Sequence, residues 1–262
     1  MILFIVFACG VSGDVRAGDR ALHAGELDAA ESEYRAALAK DPTSADALYG
    51  LGWTYHLAGQ RESARDAFSQ CVRVHPESPL GYKGLGSVAM AEGQPLAARK
   101  QFEEALARSP NDRRIRLSLA LLDLSNGRHA EALLALDALV VEEAGQAEFH
   151  QGRAEALLQL DRNDDALAAA DRAVALAAVG SAKANAHLTR ARSLLALTGK
   201  RVDEKRCAET APPVYSWLDE ADRALDSAEA TGAPLPAFAA TRREVRRRRG
   251  LVDDLCPGQR DG

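Results

Sequence analysis

The chain has 262 residues, of which 47% are hydrophobic, 27% charged and only 5% aromatic. That balance excludes intrinsic disorder, and a net charge of −5 argues against nucleic acid as the main partner. No internal stretch approaches the roughly 20 consecutive apolar residues that a membrane-spanning helix needs.

The chain opens on large apolar residues from Met1 to Phe7, followed by Ala8 and Cys9. Val6-Phe7-Ala8-Cys9 resembles the lipobox of bacterial lipoproteins: an aliphatic residue, a variable one and a small one before the cysteine that is cut and acylated. The resemblance implies a signal and lipobox-like segment over 1–9 and a lipid on Cys9. It also implies a periplasmic protein held at the outer membrane, with Gly10 rather than Asp at the sorting position. A signal peptide's positive n-region is missing, and the apolar run is short for an h-region of ~7–15 residues. An upstream start codon would supply both. The alternative is a cytoplasmic protein whose apolar first turn packs on the fold.

From residue 11 the chain repeats with a period of 34. Pro42, Pro76 and Pro110 keep that step, as do Gly25, Gly59, Gly93 and Gly127, and Ala30, Ala64, Ala98, Ala132 and Ala166. Tyr34, Phe68 and Phe102 hold an aromatic register that passes to Leu136 in the fourth unit. The glycine before each second helix suits a tight turn, and the proline after it stops that helix. Small residues such as Gly52 and Ala64 let two helices approach closely, while Leu51, Tyr55 and Phe68 fill the space beside them.

Residues 45–78, with Leu48, Leu51, Gly52 and Tyr55, then Gly59, Ala64, Phe68 and Pro76, resemble a tetratricopeptide repeat (TPR). The resemblance implies an all-α, right-handed solenoid of about six helical hairpins plus a C-terminal capping helix, with a function in binding other proteins. Five hairpins are predicted over 11–178: Val11–Lys40, Ala45–Ser78, Pro79–Ser109, Arg113–Glu143 and Ala147–Ala178. The fifth replaces the turn glycine with Asp161 and the aromatic with Ala170. A sixth hairpin over 181–230 is interrupted by an insertion, 199–213, that carries Cys207 and the helix-stopping pair Pro212-Pro213. Within 231–262, a capping helix is predicted over 237–250, closed by Gly250, before a polar tail.

The four cysteines separate by position. Cys71 falls in the small buried slot that Ala37 and Ala105 hold elsewhere, so it reads as inert packing. Cys207 and Cys256 lie outside the repeat register and read as a disulfide in an oxidising compartment.

No catalytic residues, metal ligands or cofactor site are expected. His23, His56, His75, His129, His150 and His187 show no ligand spacing, and no nucleophile elbow or phosphate-cradling loop is present. The Arg246–Arg249 run, with Arg242 and Arg243 before it, reads as a solvated cationic last turn, or alternatively as a phosphate contact.

In the TPR family the first helices of successive repeats line a concave groove. The resemblance places Tyr49, Trp53 and His56, then Leu80, Lys83, Ser87 and Met90, then Arg114, Leu117, Leu121 and Leu124 on it. The Lys and Asn of the family's carboxylate clamp are replaced by Val15 and Asp19, so the expected ligand is an amphipathic or apolar segment of a partner protein.

Overall fold

A computed structural model describes residues 13–178, 180–198, 206–231 and 235–259. Cys9 and the apolar run before it lie outside the described residues. Among the described residues the secondary structure is all α, in thirteen helices. The chain divides into two compact units, Met1–Leu122 and Asp123–Gly262.

The first unit carries α1 (Gly13–Ala24), α2 (Leu27–Lys40), α3 (Ala45–Leu57), α4 (Arg61–Val74), α5 (Pro79–Ala91) and α6 (Pro95–Arg108). It also holds α7 (Arg113–Ser125) as far as Leu122. Each helix from α1 to α6 packs on the next, and α1, α3 and α5 lie side by side. Local chemistry sets the helix starts. The Ser44 hydroxyl accepts from the Ala47 amide at 3.3 Å, and the Asp112 carboxylate accepts from the Arg114 and Ile115 amides at 2.8 and 3.2 Å. At Gly59, with φ of +76°, the chain takes the left-handed turn that joins α3 to α4.

The aromatic register forms the core of this unit. A β-carbon on Gly18 would meet the Tyr34 ring at 2.7 Å, and Gly50 on the next hairpin faces the same ring. Phe68 is held in the same way between Gly52 and Gly84, and Phe102 abuts Gly86. All three rings are fully buried. Each aromatic thus needs a glycine on its own hairpin, and Tyr34 and Phe68 need a second on the following one. Cys71 is buried too; its thiol donates to the Ala45 carbonyl at 3.8 Å, and burial pushes its pKa up to about 11. That is the chemistry of an inert packing thiol.

The second unit contains α8 (His129–Glu142), α9 (Ala147–Gln159), α10 (Asn163–Leu176), α11 (Ser181–Leu197), α12 (Cys207–Ala230) and α13 (Leu235–Leu255). The same stacking continues: α9 beside α11, and α11 beside α13. The capping helix therefore stands where the first helix of a seventh hairpin would stand.

Two sequence expectations are corrected in this unit. Pro212 and Pro213 do not stop a helix, because α12 begins at Cys207 and carries both prolines inside it. Their fixed φ is helical, and what they forfeit is two amide hydrogen bonds near the helix start. The disulfide from Cys207 to Cys256, with α-carbons 5.4 Å apart, and the buried Ala211 and Val214 hold that turn in place. Gly250 likewise does not end the capping helix, which runs on to Leu255. The buried stripe Phe238, Val245, Val252 and Cys256 continues past Gly250 at helical spacing, and packing overrides the weak local preference of one glycine.

Candidate functional site

The groove expected from the sequence is best developed on α3 and α5. Tyr49, Trp53 and His56 project from α3 and are each half-buried. Trp53 meets Tyr49 edge-on, with ring centroids 6.1 Å apart, and stands edge-on to His56 at 5.2 Å. Both large rings rest on buried Phe68, at 5.8 Å for Tyr49 and 6.2 Å for Trp53. One side of this aromatic cluster is anchored in the core of its own hairpin and the other is open. Burial, together with nearby Arg61, holds the His56 pKa below its usual value, so the ring is neutral at physiological pH. Its Nδ1 is buried without a hydrogen-bond partner among the described residues.

On α5, Leu80, Lys83, Ser87 and Met90 are half-buried. The Lys83 ammonium lies 5.2 Å from the centroid of the Tyr49 ring, a cation–π contact at the edge of the cluster. The Ser87 hydroxyl is satisfied by the Lys83 carbonyl at 3.1 Å. On α7, Arg114 and Leu121 are exposed, whereas Leu117 is buried at 7% exposure and offers little surface. Leu124 belongs to the second unit. Leu57, at 58% exposure, adds apolar surface at the end of α3. Its place directly after His56 at the helix end was the available sequence signal.

The second unit holds an open pocket of about 390 Å³ lined by α9, α11 and α13. Its apolar floor is Leu158, Leu195, Ala196 and Ala240. Its polar groups are already engaged. Arg192 grips Glu155 through two nitrogens at 2.7 and 3.0 Å, and Arg248 donates to Glu244, to the Leu195 carbonyl and to Thr198. Hydrogen bonds from Arg247 and Arg248 hold the Glu244 pKa down at about 2. Sequence reasoning missed this pocket because half of it comes from α13, outside the repeat register.

The arginine run has a structural role that its composition alone did not specify. Arg242 pairs with Asp226 and Glu229, and Arg249 with Asp219 and Asp222, which clamps α13 to α12. Arg243 and Arg246 are exposed. In α5, Gly81, Gly84 and Val88 face the preceding hairpin and Gly86 faces the helix that follows. In α13, Phe238, Thr241 and Val245 repeat the first spacing, so Arg243 stands where Gly86 stands. Arg243 is exposed there, so that side of α13 is polar where α5 presents glycine.

Among the described residues no group of three His, Cys, Asp or Glu side chains is placed to hold a metal ion. No described helix is long and apolar enough to cross a membrane.

Comparison with known proteins agrees with this architecture. Two family models, both described as tetratricopeptide repeat, match residues 21–85 and 83–148. Cellulose synthase operon protein C of Xanthomonas axonopodis pv. citri (strain 306) is 30% identical over 145 residues, covering 52% of this chain and 10% of that protein. The chain thus spans about a tenth of the length of the curated relative it matches. A tetratricopeptide repeat protein from Parabacteroides merdae ATCC 43184 superposes with a TM-score of 0.66 at 18% identity, over 89% of this chain and 83% of that one. PilW, a type IV pilus biogenesis factor, gives 0.65 at 15% identity, over 80% and 91%. At these identities the two structures speak for the fold.

Proposed function

Because the chain belongs to the tetratricopeptide repeat family, a family of protein-binding scaffolds, we propose that it captures a partner segment on the first-helix face of its N-terminal unit while a lipid on Cys9 tethers it to the outer membrane. The observation that carries the reading is the open aromatic cluster of Tyr49, Trp53 and His56. Leu48, Leu51 and Tyr55 already fill the buried packing positions of α3, while Tyr49 and Trp53 are only partly buried against that core. Large rings seated on a rigid floor are the usual anchors of an interface, each contributing ~2 kcal/mol or more on truncation.

The envelope location rests on two independent features: the lipobox-like Val6-Phe7-Ala8-Cys9 and the disulfide between Cys207 and Cys256. Disulfides persist in oxidising compartments and are rare in the cytosol of most organisms. PilW, a type IV pilus biogenesis factor, shares the fold, and by that analogy the chain helps to assemble an envelope machine.

Two experiments test the two halves. A photo-crosslinking amino acid at Trp53 in native cells should give a discrete adduct that the same probe at exposed Arg65 does not; equal labelling from both positions removes the groove. Labelled palmitate should enter the wild-type chain and not Cys9→Ser. A soluble protein that retains Met1 overturns the anchor.

A further inference from the structure

We propose that the outer face of α8 is a second docking surface, and that it takes an amphipathic helix of a partner protein with Lys or Arg at that helix's N-terminal end. The surface belongs to a second helix of the repeat and to the second unit, and it does not depend on the groove assignment above.

A helix that is apolar on every side is ordinarily buried on every side, and α8 is not. Ala132, Leu133, Leu136 and Leu139 are buried and seat it in its hairpin. On the opposite side Leu134, Ala138 and Val141 follow one another at helical spacing, with Leu134 75% and Val141 86% exposed. At the position of Leu134 the first three repeats carry Ser32, Asp66 and Lys100, all exposed, so the fold itself makes no demand for leucine there. Single exposed apolar residues are ordinary, but a stripe of about two turns is a surface that a partner covers. Ala138 at its centre permits close approach of another helix, with Leu134 and Val141 as ridges on either side.

Charge decides what covers it. α8 carries Glu131, Asp137 and Glu142 and no Lys or Arg, and Glu143 follows as its cap. Asp137 is held by Arg153 at 2.6 Å, and Arg128, ahead of the first turn, is held by Asp123. Glu143 accepts from the Gln146 amide at 2.5 Å, a neutral partner that leaves its charge in place. The helix dipole favours cations at a C-terminus, and α2, α4 and α6 accordingly end on Lys40, Arg73 and Arg108. The apolar stripe of α8 instead runs into two carboxylates at a helix end that is itself negative. A partner helix lying antiparallel brings its positive N-terminus and its Lys or Arg to that end. A second copy is opposed, because α8 against itself sets acids against acids and has no Lys or Arg to offer.

The test uses the full-length oxidised protein and two fluorescein-labelled helical peptides that share one Leu stripe, one with Lys and the other with Glu in its first turn. Anisotropy titrations at low ionic strength should show the Lys peptide binding about tenfold tighter, with the margin shrinking as salt screens it. Leu134→Asp with Val141→Arg copies Asp66 and Arg73 of the second repeat and keeps the net charge, so it should leave the melting temperature unchanged and abolish binding of both peptides. Glu142→Lys with Glu143→Lys should reverse the preference. Leu96→Asp, which removes a comparably exposed leucine from α6, should change neither affinity. Equal binding of the two peptides, failure of both to bind, or binding that survives Leu134→Asp with Val141→Arg overturns the proposal. A wild-type dimer in sedimentation that this double variant dissolves makes the face a contact between copies, and the partner helix falls with it.

Discussion

Phe68 in the first unit is gripped between Gly52 and Gly84; at the corresponding places in the second unit Ala170 sits with Ala154 and Ala186, all three buried. One hairpin concentrates its packing volume in a single ring and needs glycine around it. The other shares the volume among methyl groups and needs no residue in particular. The second unit adds a disulfide, and it is laced by ion pairs between helices such as Arg190 to Asp171 and Glu220, and Arg153 to Asp137. The difference shows that one backbone repeat tolerates two kinds of glue, a steric interlock that constrains sequence tightly and an electrostatic clamp that constrains it loosely.

The largest effect is expected from the staple. The Cys207–Cys256 bridge spans 49 residues, for which the chain-entropy relation gives about 4 kcal/mol. Reduction, or Cys207→Ser with Cys256→Ser, should release the start of α12 and the end of α13 first, seen as fast amide exchange there while α3 to α6 stay protected. Uniform loss of protection across the chain would contradict independent glue in the two units. The next largest tests the interlock. A β-carbon at Gly52 would lie 2.5 Å from the buried Phe68 ring, so Gly52→Ala should destabilise by about 2 kcal/mol even though alanine is the better helix former by about 1 kcal/mol. Phe68→Leu in the same chain should recover part of that loss in thermal melts. A neutral Gly52→Ala would mean that the ring is free to move and the interlock does not govern packing.

How far the sequence could be read follows the same division. The hairpins from Gly13 to Leu176 were legible because glycine, aromatic and proline registers each carry a steric demand that few other residues meet. Asp161 was legible as a turn by phase alone. From α11 onward the reading weakened: Pro212 and Pro213 suggested a break that the disulfide and the buried Ala211 override, and Gly250 suggested a stop that Val252 and Cys256 override. In both places long-range packing outweighed a local signal. The aromatic cluster on α3 was visible as residues on one face, but its seat on Phe68 was not. The pairing of Arg249 with Asp219 and Asp222 was equally hidden, since helix faces full of both charges give no unique partner.

A smaller effect is expected for the clamp itself. Arg249 is only 21% exposed and holds two carboxylates of α12, so Arg249→Ala should lower the stability of the second unit by about 1 kcal/mol, with the difference shrinking at high salt. Arg243→Ala, on the exposed side of α13, should leave the melting temperature unchanged. Comparable losses from both variants at all salt concentrations would show that the run acts through helix propensity, and the electrostatic account of this unit would be lost.

The smallest effect is the most pointed, because it exchanges a feature of one unit for that of the other. Asp161 has φ of +57°, the left-handed region that Gly25, Gly59 and Gly93 occupy at the same place in the first unit and Gly127 in the second. The turn keeps its bonds despite the side chain: the Arg162 amide donates to the Leu157 carbonyl at 3.0 Å, as the Gln60 amide does to Tyr55 at 2.9 Å. A non-glycine residue in that region costs about 1–2 kcal/mol, with Asp near the low end because its short polar side chain tolerates it. Glycine removes that strain but adds freedom to the unfolded chain, a penalty of about 0.5–1 kcal/mol. The strain is the larger quantity, so Asp161→Gly should stabilise the second unit by about 0.5 kcal/mol, and the reverse exchange, Gly59→Asp, should destabilise the first by a similar amount. Urea unfolding of both variants measures the pair. Shifts of the same sign in both would mean that the two turns differ in more than the side chain at this position, and that their hydrogen bonds do not bear equal strain.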